Sequence, residues 1–233
     1  MNNIYYNRYF IVIKKKKIFF QALDGLNKVI LTKEMFIDDY STSNIFSSIE
    51  SFLEKNIFEI ERKLKDFIKE IYVIFESDLF FLVESSIKHN SQKTNFEFSN
   101  INDTLLDMKN QFRKYSPKDE IIHMMISKYT LGENDYEILP KLINNENLII
   151  QVNFICLKDK IVDELKTIFL KYQISVNKIL SCDYLKGLNN HNSENIFRLA
   201  DYSINGLLKN EVLIANKIRK NQGFFEKFFN FFN

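Results

Sequence analysis

The chain has 233 residues, with 32 Lys and Arg against 30 Asp and Glu for a net charge of +2, and 45% of its residues are hydrophobic. That length is enough to bury a substantial core in one large or two small domains, and the near balance of charge excludes a global field that would draw the chain onto nucleic acid. The two cysteines, Cys156 and Cys182, both lie in apolar strand-like text without a secretory leader, which points to reduced thiols in a core rather than a disulfide framework.

In chain order, residues 8–13 and 18–23 are strand-like runs on either side of Lys14, Lys15, Lys16 and Lys17, the pattern of a hairpin with a charged tip. A solvated turn is a plainer reading of those lysines than a patch for nucleic acid or acidic lipid. Residues 28–37 supply a third strand. Ser43 is placed to cap a helix whose apolar face carries Ile45, Ile49, Phe52 and Leu53, continued by Ile60, Leu64, Phe67 and Ile68 in one long or broken helix. Residues 71–75 and 79–83 then read as two apolar strands paired in a hairpin. A polar loop over 89–100 leads to a helix capped at Asn102 and Asp103, with Leu105, Leu106, Met108 and Phe112 on one face, ending before Ser116 and Pro117.

Residues 121–126 and 148–157 are two further strands expected to pair. Asp159 offers an N-cap to a helix with Ile161, Val162, Leu165, Ile168, Phe169 and Tyr172 on one face, and Ile174, Val176, Ile179 and Leu180 return as a strand. A polar linker over 189–195 precedes a helix through Ile196, Phe197, Leu199, Ala200, Ile204, Leu207 and Leu208. The fold class is therefore α/β: small mixed sheets with packed helices. No apolar run approaches the roughly 20 residues that a membrane-spanning helix needs, so none is expected.

The text over 119–188 resembles the bacterial cell-division protein family FtsA, actin-like proteins that tie the division ring to the membrane. That family reads roughly "VLHVLPQEY", a loop, "KVHLITCHND", a helix, then "GLKVDQLIFAGLA"; here residues 121–129, 151–159 and 174–180 hold the corresponding places. Ile126, Lys128 and Gln173 depart from the family's proline, glutamate and glycine. The resemblance implies an actin-like body over 1–70, an inserted strand-helix subdomain over 71–157, a returning helix, strand and packing helix over 158–212, and a linker with an amphipathic tail over 213–233. Both glycine-rich phosphate loops of that family are missing, Asp24-Gly25 being only a turn dipeptide, so no nucleotide or other cofactor is expected.

Candidate chemistry is sparse. His123 sits inside an apolar strand, where a satisfied core histidine is the plainer reading, while His89 and His191 fall in Asn-rich loops. Cys156 beside His123 would make a thiol-imidazole pair, without a third group or an oxyanion site to complete an enzyme. Asp38-Asp39 and the acids at 133–135 lack the ligand count of a calcium loop. No metal site and no enzymatic activity are expected.

The strongest functional signal is the C-terminus. Phe224, Phe225, Phe228, Phe229, Phe231 and Phe232 gather on one helical face, with Lys217, Arg219, Lys220 and Lys227 close by, a composition that fits an interfacial membrane helix. The FtsA family also ends in such a helix. The expectation is a nucleotide-free adaptor on the cytoplasmic face of the cell membrane, at the division site, that contacts division proteins, surface lipids and copies of itself. The alternative is a cytosolic scaffold of the pilus-assembly type whose C-terminal helix enters a partner's groove.

Overall fold

A computed structural model describes residues 7–37, 42–89, 98–140, 147–188, 195–208 and 210–213. Two sheets form. Strands β1 (Arg8–Lys14), β2 (Lys17–Leu23) and β3 (Val29–Phe36) make an antiparallel meander, and β4 (Glu70–Phe75) and β9 (Ser175–Ser181) extend it in parallel, in the order β3-β2-β1-β4-β9. Helix α1 (Thr42–Leu64) joins β3 to β4 and seats Ile45, Ile49, Phe52, Leu53, Ile57 and Ile60 against Ile11, Phe20 and Val73. Each fully buried aliphatic or aromatic side chain on that face contributes on the order of 1.5–3 kcal/mol.

Between β4 and the helix that precedes β9 the chain builds the second sheet. It holds β5 (Phe81–His89), β8 (Leu148–Lys158), β6 (Asp119–Leu131) and β7 (Asn134–Tyr136) in the order β5-β8-β6-β7. Helix α2 (Phe98–Tyr115) covers it through Ile101, Leu105 and Met108, which pack with Val152 and Phe154. Helix α3 (Asp159–Leu170) returns the chain to the first sheet, and α4 (Cys182–Gly187) and α5 (Ile196–Ile204) close that sheet's other face through Leu185, Phe197 and Leu199. This is the mixed α/β class expected, with the second sheet inserted between β4 and α3.

The hairpin expected from 71–75 and 79–83 does not form. Strand β4 lies between β1 and β9 in the first sheet, and β5 pairs β8 in the second. Both runs are apolar, and periodicity carries no information about which sheet a buried strand joins. The connection shows how they part. Glu76 N–H donates to Ile13 O at 2.9 Å, continuing the β1–β4 ladder, and the Ser77 hydroxyl accepts from Leu79 N–H at 3.2 Å as the chain turns away.

Other boundaries move. Helix α1 is unbroken but stops at Leu64, with Lys65 left-handed at φ 56°; Phe67 and Ile68 lie beyond it, where Ile68 N–H donates to the Glu61 carboxylate at 3.0 Å. Ser43 falls within the helix rather than ahead of it, and α2 begins at Phe98, four residues before the expected cap. At α3 the N-cap position belongs to Lys158; Asp159 is the first helical residue, its Oδ1 accepting Lys160 N–H at 2.6 Å.

One departure from the family text has a geometric meaning. Gln173 takes φ 60° at the end of α3, where Ile174 N–H bonds Phe169 O at 3.2 Å and Gln173 N–H bonds Leu170 O at 2.9 Å. This is a Schellman closure with its left-handed position held by Gln, the position at which the resembled family has glycine.

Candidate functional site

The two sheets meet edge to edge at His123 in β6. Its Nε2 accepts Ser181 N–H at 3.0 Å, so the ring proton lies on Nδ1 and donates to Glu211 Oε1 at 2.7 Å. The imidazole is 1% exposed, and burial holds its pKa below the usual 6.5 against the opposing pull of Glu211. Burial pushes the Glu211 carboxyl up, but the His123 bond and the neighbouring Lys178 charge leave it below its usual range. Lys178, in β9, reaches Ser203 O at 3.2 Å and Ser203 Oγ at 3.3 Å on α5, with Glu211 Oε1 at 3.6 Å. Burial lowers its pKa. The Tyr184 ring of α4 lies 4.3 Å from the imidazole, centre to centre.

Glu211 is held by the backbone as well. Residues 210–212 lie antiparallel to β6, with Ile126 N–H on Asn210 O and Val212 N–H on Met124 O, both at 2.8 Å. One buried polar cluster thus ties β6, β9, α4, α5 and the segment after α5 together. Beside it opens a cleft of about 380 Å³ lined by Lys109, Glu120, Val162, Lys178, Glu211 and Leu213, among others. Its lining mixes charged side chains with apolar walls.

The other sequence candidates are not assembled into a reaction centre. Cys156 faces Ile121 across the β6–β8 ladder and His123 faces Ile155, with a register shift between them. The Cys156 thiol packs into the core under α2, and burial pushes its pKa up to about 12. Glu76, Cys182 and Asp183 bring three ligand atoms within 4.8 Å of one another, but Glu76 is ion-paired with Lys186 and burial raises the Cys182 thiol. Asp135 is held by Lys128 at 2.5 Å and by the Thr130 hydroxyl at 2.6 Å.

The β1–β2 turn is a tight connection at Lys15 and Lys16. Lys15 Nζ lies 3.3 Å from Asp78, and Lys17 the same distance from Glu34, so the tip is a solvated ion-paired turn. The six phenylalanines and four basic residues of the C-terminal candidate, with His191, Asp38 and Asp39, lie outside the described residues. Glu211, Lys178, Ser181 and Ser203 were not singled out from sequence. No local signal marks them, since Glu211 lies 88 positions from its histidine.

No protein-family profile matches the chain, and no curated protein matches it. Among solved structures it is similar to the cytoplasmic domain of EpsL, an inner membrane component of the type II secretion system of Vibrio cholerae, at 12% identity and TM-score 0.36, over 77% of this chain and 57% of that one. It is also similar to a Bacteroides thetaiotaomicron protein with an actin-like ATPase fold and unknown function, at 13% identity and TM-score 0.33, over 78% and 55%. A third is the PilM–PilN type IV pilus biogenesis complex, at 6% identity and TM-score 0.42, over 78% and 48%. The chain spans about half the length of these structures.

Proposed function

We propose that this protein is a nucleotide-independent adaptor, a single actin-like lobe with an inserted sheet that binds protein partners within a membrane-attached assembly of the pilus or secretion type. The observation that carries the reading is the β1–β2 turn: if the sheet is read as actin-like, the connection that would close around phosphates is only Lys15 and Lys16, with Lys15 ion-paired to Asp78. Backbone N–H groups are the phosphate donors in such loops, and here the Lys15 N–H donates to the Glu76 carboxylate at 3.4 Å. The cleft of about 380 Å³ beside the His123 cluster offers room for a few side chains of a partner. In this reading the phenylalanine face over 224–232 enters a partner's groove as a helix.

A second reading keeps the adaptor but places it at the division site, with the same face immersed in lipid; its support is the aromatic face with Lys217, Arg219, Lys220 and Lys227 beside it. Co-sedimentation with anionic liposomes separates the two. In the assembly reading the intact protein stays in the supernatant, and a photoreactive residue at Phe228 cross-links to protein in living cells. Pelleting with liposomes that is lost on ending the chain at Gln222 would replace it with the lipid-anchored reading.

A further inference from the structure

Exposed strand edges are templates for pairing with another chain, and proteins normally blunt them with lysines, prolines, bulges or covering segments. Four strands stand at sheet edges among the described residues: β3, β9, β5 and β7. At β9, His123 takes the Ser181 donor; β7 is only three residues long; β5 presents exposed Glu84, Ser86 and Lys88 around Leu82. The edge at β3 is different. Val29, Ile30 and Phe36 are 53%, 46% and 71% exposed along eight residues, and the strand's one lysine, Lys33, is bound to Glu59 of α1 at 2.6 Å. A register shift opposite Ala22 and Leu23 disturbs only the Val29 end.

We propose that β3 pairs antiparallel with β3 of a second copy of this chain, joining two five-stranded sheets into one continuous sheet. The register follows from the side chains. With Lys33 on the two-fold axis, Phe36 of each copy faces Ile30 of the other on one side of the sheet, and Met35 faces Leu31 on the other. Sliding the axis to Glu34 sets two carboxylates against each other and Lys33 against Met35. Sliding it to Thr32 sets Glu34 against Ile30 and Lys33 against Leu31. The first sets Phe36 against Ile30 and Met35 against Leu31, apolar cross-strand pairs that stabilise a sheet, with Thr32 against Glu34 next to the axis. Each axial lysine is held back toward α1 by its own Glu59, a carboxylate that it shares with Lys63, which lessens the repulsion between the two.

One strand pair of this length falls short of the roughly 1,200 Å² typical of stable interfaces, so the dimer is weak in dilute solution and strengthened where copies are concentrated. The test is sedimentation equilibrium of the full chain up to millimolar concentration, with Phe36→Lys and Ile30→Lys as variants. Both sites are exposed, and a circular dichroism melt verifies that each variant folds. The expected result is a monomer–dimer equilibrium whose dissociation constant rises about tenfold or more in either variant. The register is read separately by mixing Thr32→Cys with Glu34→Cys protein under mild oxidation: a disulfide-linked dimer forms in the mixture and not from either alone. The buried native thiols of Cys156 and Cys182 stay out of this reaction. A monomer at every concentration, a dimer indifferent to both lysine variants, or an absence of the mixed disulfide would overturn the proposal. So would capture of Thr32→Cys in cells by a different protein's strand, which would assign the edge to a partner.

Discussion

The imidazole of His123 accepts the backbone N–H of Ser181 at 3.0 Å, so a side chain from the second sheet completes the edge of the first. A buried backbone donor left without a partner costs about 1–3 kcal/mol, and a buried carboxylate deprived of its donor costs more. His123→Ala does both, since it strips Ser181 N–H and Glu211 together. We expect a loss of about 3–5 kcal/mol in urea unfolding. Glu211→Gln, which leaves an acceptor oxygen for Nδ1–H, should lose clearly less. Equal losses from the two would show that the histidine's bond to the strand edge contributes nothing of its own.

The same pair sets an acid limit on stability. Folded His123 binds its proton below the ordinary value of 6.5, so under that pH the unfolded chain takes up more protons and stability falls as pH drops. Glu211 acts in the same direction at lower pH: its folded carboxyl lies below 4.5, and its contribution, complete above that value, is lost as pH falls through the folded one. Melting temperature should therefore decline from about pH 6.5 downward. In His123→Gln the slope between about pH 5 and 6.5 should be reduced. A variant with the parent's slope there would assign the acid sensitivity to other groups.

Gln173 holds a left-handed backbone that glycine adopts without steric cost. Gln173→Gly should be stabilising or neutral, by up to about 1 kcal/mol, because relief of the folded-state strain exceeds the added freedom of the unfolded chain. Thermal melts of the two proteins measure it. Destabilisation by a similar amount would mean that the Gln side chain makes a contribution larger than the strain.

A thiolate is the reactive form of cysteine, and burial suppresses it at Cys156. Under native conditions at neutral pH neither cysteine should react with a disulfide reagent, and both should react after unfolding. Rapid native labelling of Cys156 would revive an enzymatic role for it.

Much of this architecture was legible in the residues. The lysine-tipped hairpin, the β6–β8 pair and the α3–β9 return were readable because each is local and strongly periodic. The core role of His123 was readable too, since a polar residue inside an apolar strand needs partners. Its partners were not. Glu211 and Ser181 reach it only through the meeting of two sheets, and neither carries a local pattern. The separation of β4 from β5 was hidden too: both begin in short apolar runs, and the run itself does not tell which sheet a strand joins.

Calorimetric titration of the full chain with ATP and magnesium tests most directly the proposal that this protein works without nucleotide. The tight Lys15–Lys16 turn leaves no backbone cradle for phosphates, so the account predicts only heats of dilution. Saturable binding at micromolar ATP would contradict it.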